Sequence, residues 1–305
     1  MISEKIIVGE GTEYPLNGLL TLPDDLTKPV PAVVMVHGSG PSNMDEKVMK
    51  LTPFRDLAEG LVNHGIASLR YDKRTFAHAR KMIRVSPTAR IETIDDALLA
   101  IEMLKNDPRI DHDRIFILGH SLGAMLAPRI DAEGGNVRGM ILLAGTPYRL
   151  EQVVLRQLSQ PNGGNAFIKW VLGLEYKMYA RKFSTLYQLT EEEARKTKYA
   201  GNLSLYYFQE MGHKTAADYL LENSKPVLIM QGGKDFQVLA EDDFRKFQEM
   251  LEGRKNTSYR LYPELNHCFV QGIYNDILKA AQEYGVERHI GDDVISDIAE
   301  FINNN

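Results

Sequence analysis

The pentapeptide Gly119-His120-Ser121-Leu122-Gly123 sets a serine between two glycines. It follows the apolar run Ile115-Phe116-Ile117-Leu118 and precedes Ala124-Met125-Leu126-Ala127. A strand, a sharp turn and a helix are expected in that order. On such a turn a side chain in place of either glycine would strike neighbouring backbone, and the serine hydroxyl is lifted clear of the sheet. The start of the next helix then faces the oxygen that becomes charged in acyl transfer. The chemistry on offer is nucleophilic attack by Ser121.

A serine hydroxyl is a weak nucleophile without a base. The chain has eight histidines. His37 and His120 belong to glycine motifs, too near the turns to serve as bases. His64 precedes a helix stop, His112 lies in the polar loop "NDPRIDHD", and His78, His213 and His289 lie in helical or loop surroundings. His267, in "YPELNHCF", follows the last expected strand and precedes the closing helix. That puts it at the sheet edge where Ser121 is expected. The base needs a carboxylate to fix its tautomer and stabilise the imidazolium. Asp235 ends "VLIMQGGKD" at another strand terminus and completes the chain order serine, acid, histidine. Asp242 and Asp243 fall inside a helix pattern and read as its solvated N-terminal charge. For the oxyanion, the expected backbone donors are the N–H of Leu122 and that of Ser39 in "HGSGP", with Gly40 as the alternative.

These residues need a frame that brings strand ends together. "EKIIVGEG" and "LNGLLTLP" read as an antiparallel edge hairpin. Val33-Val34-Met35-Val36 is apolar on both faces, as a central parallel strand would be. "PFRDLAEGLVNHG" carries helical spacing at Phe54, Leu57 and Leu61 and stops at Gly65. "TIDDALLAIEMLKND" sets Ile94, Leu98, Ile101 and Leu104 on one helical face. Pro128 in "LGAMLAPRI" is expected to kink or shorten that helix. Strands alternating with helices imply an α/β fold, a mostly parallel sheet covered on both faces, with ligands outside its carboxyl edge. Residues 146–224 break the rhythm with helical patterning and many aromatics, interrupted by "SQPNGGN". They read as a helical cap inserted into a core formed by residues 1–145 and 225–305.

Composition excludes several alternatives. The 305 residues suit one large domain, or one with an insertion. A net charge of −5 argues against nucleic acid or an anionic membrane as the main partner. The single cysteine, Cys268, forms no internal disulfide and reads as a packing residue. No signal peptide or membrane span is expected, so a cytoplasmic setting is the default. No metal or other cofactor is called for: there is no H-E-x-x-H and no phosphate loop.

Together, "HGSGP", "GHSLG", "QGGKD" and "LNH" resemble the α/β-hydrolase superfamily. "VVMVHGSGP", "YDKR", "GHSLGAMLAPRI" and "LIMQGGKD" resemble bacterial serine esterases related to the dienelactone hydrolases, which themselves carry cysteine where this chain has serine. The resemblance implies a sheet of about eight strands, a Ser121–His267–Asp235 triad, and hydrolysis of short-chain or aryl carboxylic esters through an acyl-enzyme. Acyl-CoA thioesterase, acyltransferase or small-peptidase activity on the same triad is the alternative, with a non-catalytic ligand-binding role behind it. The basic residues Arg181, Lys182, Arg195 and Lys198 leave a CoA groove open. The expected partner is a small-molecule ester, and a homodimer is compatible with the sequence. Asp72, Lys73 and Arg74 read as a structural charge cluster near the site.

Overall fold

Val33, Val34, Met35 and Val36 divide between two hydrophobic clusters, one on each face of a single sheet. Val34 and Val36 pack with Leu69, Ile117, Leu142 and Ile229; Val33 and Met35 pack with Phe54, Leu118, Ile141 and Met230. Burying such side chains contributes about 1.5–3 kcal/mol each, which fixes this strand at the centre. The computed structural model describes residues 1–159 and 166–305.

The strands of the main sheet are β1 (Ile2–Val8), β2 (Leu16–Leu22), β3 (Val30–Val36), β4 (Ala67–Tyr71), β5 (Ile110–His120), β6 (Gly139–Leu143), β7 (Val227–Gly232) and β8 (Thr257–Tyr262). They form one eight-stranded sheet in the order β1-β2-β4-β3-β5-β6-β7-β8. β1 pairs antiparallel with β2, and β2 antiparallel with β4, so the opening hairpin caps one edge as its sequence suggests. All other pairings are parallel, with Val34 opposite both Leu69 and Ile117. The loops after β3, β5, β7 and β8 therefore emerge together at the carboxyl edge.

Helices α1 (Pro53–Leu61), α2 (Asp95–Lys105) and α3 (Leu122–Ile130) follow β3, β4 and β5. Phe54, Leu57 and Leu61 of α1 are fully buried, and Gly65 ends the segment in the left-handed conformation. α3 runs through Pro128 to Ile130 before a wider turn over Asp131–Gly135. Pro128 thus does not shorten it.

The insertion between β6 and β7 contains α4 (Leu150–Ser159), α5 (Ala166–Phe183) and α6 (Leu205–Met211), with shorter helices between and after them. Of the expected break "SQPNGGN", Gln160 to Asn165 lie outside the described residues. Tyr179, Phe183, Tyr199 and Phe208 pack ring against ring, with centroids 4.6 Å apart for Tyr199–Phe208 and 4.9 Å for Phe183–Phe208. Phe183, Leu205, Tyr207 and Phe208 join the same core cluster as the sheet. The closing helix α7 (Asp292–Asn303) covers the opposite face through Val294, Ile295 and Ile298.

Candidate active site

Ser121 occupies the turn between β5 and α3 with φ 53° and ψ −114°. L-residues avoid this region, and holding one there costs on the order of 1–3 kcal/mol. The surrounding structure enforces it. Ser121 N–H donates to the Leu143 carbonyl of β6 at 2.9 Å. A Cβ on Gly119 would collide with the Gly123 carbonyl, and one on Gly123 with the Val36 carbonyl. Only glycines let the turn sit this close to its neighbours.

His267 lies in the loop after β8, where the sequence puts it. Its Nδ1 is 2.7 Å from Asp235 Oδ2, and both side chains are buried. The loop is tied by Asn266, which accepts from Cys268 N–H at 2.9 Å and donates to Glu283 at 2.6 Å. Asp235 stands on the loop after β7. Its Oδ1 accepts from the backbone N–H groups of Gln237 (2.7 Å) and Val238 (3.0 Å); its Oδ2 also accepts from the Gln231 amide at 3.0 Å. Gly232 and Gly233 make the crossing of the two loops feasible: a Cβ on either would meet Leu265, Asn266 or Pro263 backbone at 2.5 Å.

Among the described residues, no hydrogen bond joins Asp242 or Asp243 to His267. Arg156 of α4 binds both, at 2.6 Å to each, and Tyr148 and Thr146 donate to them at 2.8 and 2.5 Å. Asp243 is fully buried, so the solvated helix-end role expected for it is wrong; a cation and a hydroxyl compensate its charge.

A cavity of about 460 Å³ opens over these loops, lined by Ser121, His267, Ser39, Leu122 and the α4 residues Leu150, Val153, Val154 and Gln157. Among the described residues, no hydrogen bond uses the N–H of Ser39 or of Leu122. Gly40 lines only a neighbouring cavity, which Ser39 and Leu122 share. Cys268 also faces the main cavity, but burial pushes its thiol well above the ordinary range, so it stays protonated.

His120 has a role that its position in the glycine motif conceals. Its Nδ1 is 3.0 Å from Glu46 Oε2, and its Nε2 meets the His267 carbonyl at 2.9 Å. Burial opposes a charge on His120, yet the Glu46 carboxylate outweighs it and raises the pKa; the same pairing lowers that of Glu46. Burial drives His37 the other way, to about 4, so it is neutral at pH 7. Neither ring is a free base for Ser121.

The model of the serine aminopeptidase S33 family matches residues 27–271. This chain belongs to that family, within the α/β-hydrolase superfamily anticipated from the sequence. Esterase EstD of Thermotoga maritima is 34% identical over 296 residues, covering 96% of this chain and 67% of that protein. Est1E from Butyrivibrio proteoclasticus superposes with a TM-score of 0.62 at 17% identity, covering 99% of both chains, and has also been solved with ferulic acid bound. The Pyrococcus furiosus esterase Pf2001 gives 0.56 at 17% identity over 99% of this chain and 91% of that one. At such identities the solved structures show a shared fold.

In this S33-family chain, sequence reasoning missed Glu46, Gln231 and the use made of His120. The available signals were the acid in "SNMDE" soon after "HGSGP" and the polar residue opening "QGGKD". Among the described residues, no helix is long and apolar enough to cross a membrane, and no cluster of His, Cys, Asp or Glu is placed to hold a metal ion.

Proposed function

We propose that the protein is a carboxylesterase-type serine hydrolase in which Ser121, His267 and Asp235 act as the triad. Ser121 Oγ attacks the ester carbonyl. His267 Nε2 takes its proton and passes it to the leaving alcohol, while Asp235 holds Nδ1–H and stabilises the imidazolium. The N–H groups of Ser39 and Leu122 receive the oxyanion, and a water activated by His267 then releases the acid. The observation that carries this reading is that Ser121 and His267 line one cavity with Asp235 2.7 Å behind the imidazole. Similarity to an esterase over 96% of the chain supports ester bonds as the target.

The insertion, residues 146–224, serves as a cap. α4 supplies one wall of the cavity. Beside it lies a second, mostly apolar cavity of about 410 Å³, lined by Met82, Tyr199, Leu203, Tyr207 and Phe208 and joined to the first at Ser39 and Leu122. A short acyl chain or an aryl ring fits its chemistry. The carboxylates lining the two cavities speak against an aminopeptidase: Glu46 is held by His120 and Glu92 by Lys73, leaving neither for a substrate ammonium. Of the basic residues Arg181, Lys182, Arg195 and Lys198, only Arg195 pairs with a carboxylate among the described residues, that of Glu191, and the thioester arm of the test below decides on CoA.

The exposed stripe Phe167, Trp170, Leu174 and Met178 on α5 suits a homodimer contact, and the single buried thiol suits a reducing compartment such as the cytoplasm. The test of function is a panel of p-nitrophenyl acetate, butyrate and benzoate against acyl-CoA and aminoacyl amides. Turnover of esters that disappears in Ser121→Ala is expected; faster turnover of thioesters or amides would move the protein to the alternative class.

A further inference from the structure

Lys73 takes no part in the chemistry above, yet its ammonium is buried at the edge of the site. Its side chain is 2% exposed, with Nζ 2.7 Å from Glu92 Oε1. Nζ also donates to the Gly38 carbonyl at 2.9 Å. That carbonyl is one half of a peptide unit whose other half is the Ser39 N–H. The unit is planar, and in a trans unit C=O and N–H point in opposite directions. A donor fixed on the Gly38 oxygen therefore fixes the direction of the Ser39 N–H, away from Lys73.

The preceding peptide unit is held as well. Gly38 N–H donates to Glu46 Oε1 at 2.7 Å, and the other oxygen of Glu46 is tied to His120. A stiffer residue would be tight at position 38, because a Cβ there would sit 3.2 Å from the Ser121 Cβ and 3.3 Å from Glu46 Oε1. Glycine is the least restrained residue of the chain. Here the restraint comes from outside, from a buried cation on one side and a buried anion on the other.

We infer that Lys73, anchored by Glu92, is a positioning residue of the oxyanion hole, aiming the Ser39 N–H at the oxygen that becomes charged. This rests on the reading of Ser39 as an oxyanion donor. The adjacent residue supplies an internal control. Arg74 is also buried, and binds Asp96 through two hydrogen bonds of 3.0 and 2.5 Å, but none of its bonds reaches the loop of residues 37–41.

The test compares Lys73→Met/Glu92→Gln, which removes the ammonium without stranding a charge, with Arg74→Met/Asp96→Asn. Each is assayed for ester hydrolysis and for binding a trifluoromethyl ketone, which forms a tetrahedral adduct with the serine, and the matching methyl ketone, which serves as a ground-state ligand. Losing one oxyanion donor outright costs about 10²–10³ in kcat, so a misaimed donor is expected to cost about 10- to 100-fold. Trifluoromethyl-ketone affinity should fall in step with kcat, and by far more than any change in KM or methyl-ketone affinity that arises because Glu92 also lines the second cavity. The Arg74 pair should lower Tm and leave kcat within about threefold. An unchanged kcat and trifluoromethyl-ketone affinity in the Lys73 pair, or equal catalytic losses in both pairs, overturns the inference. If the double variant does not fold, Lys73→Gln must show the same split between kcat and KM, and an unchanged kcat there is equally fatal. Failure of the wild type to bind the trifluoromethyl ketone through Ser121 would instead sink the underlying hydrolase reading.

Discussion

His267 Nδ1 and Asp235 Oδ2 are 2.7 Å apart although 32 residues separate them in sequence. Two backbone N–H groups and the Gln231 amide hold the carboxylate in place, so it can orient the ring without moving. Asp235→Asn keeps the shape but offers an amide in place of the anion. It is expected to lower kcat by about 10³–10⁴ with little change in KM. Steady-state kinetics on a short-chain ester checks this. A larger catalytic loss in Asp242→Asn or Asp243→Asn would reassign the acid.

The backbone of Ser121 stores strain. At φ 53° and ψ −114° glycine is comfortable and every other residue is not. Ser121→Gly and Ser121→Ala should both be inactive, but the glycine variant should be the more stable by about 1–2 kcal/mol, or about 2–4 °C in Tm. Calorimetry of the two variants decides; equal Tm values would mean that the turn is relaxed.

Arg156 joins α4 to the loop after β7 through Asp242 and the fully buried Asp243. Arg156→Met leaves a buried carboxylate without its cation, which typically costs about 3–5 kcal/mol. Because α4 lines the cavity, KM should rise more than kcat falls. Adding Asp243→Asn should recover part of the stability in denaturant titrations. No recovery would mean that the pair is not the anchor.

His37 makes stability depend on pH. Burial lowers its pKa from 6.5 to about 4. The unfolded chain takes up this proton at a higher pH than the folded one. The contribution is therefore complete above pH 6.5 and is lost as pH falls through about 4, a change on the order of 3 kcal/mol. His37→Gln, which can still donate to the Asn43 carbonyl, should flatten the acid side of a Tm profile between pH 7 and 4. A parallel profile would contradict the assignment.

Much of this architecture was legible because the controlling residues are close in sequence. The alternation of strands and helices, the two-faced apolar run at Val33–Val36 and the glycines around Ser121 each announce a local structure. Ser121, Asp235 and His267, the residues proposed as the triad, could be grouped from the sequence because each sits at a strand end, where topology brings distant residues together. What was hidden depends on three-dimensional pairing. Nothing local says that Asp243 is buried against Arg156, that His120 belongs to Glu46, or that Lys73 reaches the Gly38 carbonyl. Charged residues read from sequence default to solvent, and burial with a partner reverses that default. Of the two effects expected of Pro128, early termination is not seen: α3 continues to Ile130, and a wider turn over Asp131–Gly135 follows.

The most direct measurement of the central claim is mass spectrometry of the folded protein after treatment with a fluorophosphonate, with peptide mapping of the adduct. One phosphonyl group on Ser121 is expected in the wild type, none in Ser121→Ala, and slow labelling in His267→Gln. No adduct on the folded wild type, or equal labelling of Ser121→Ala, would contradict the account.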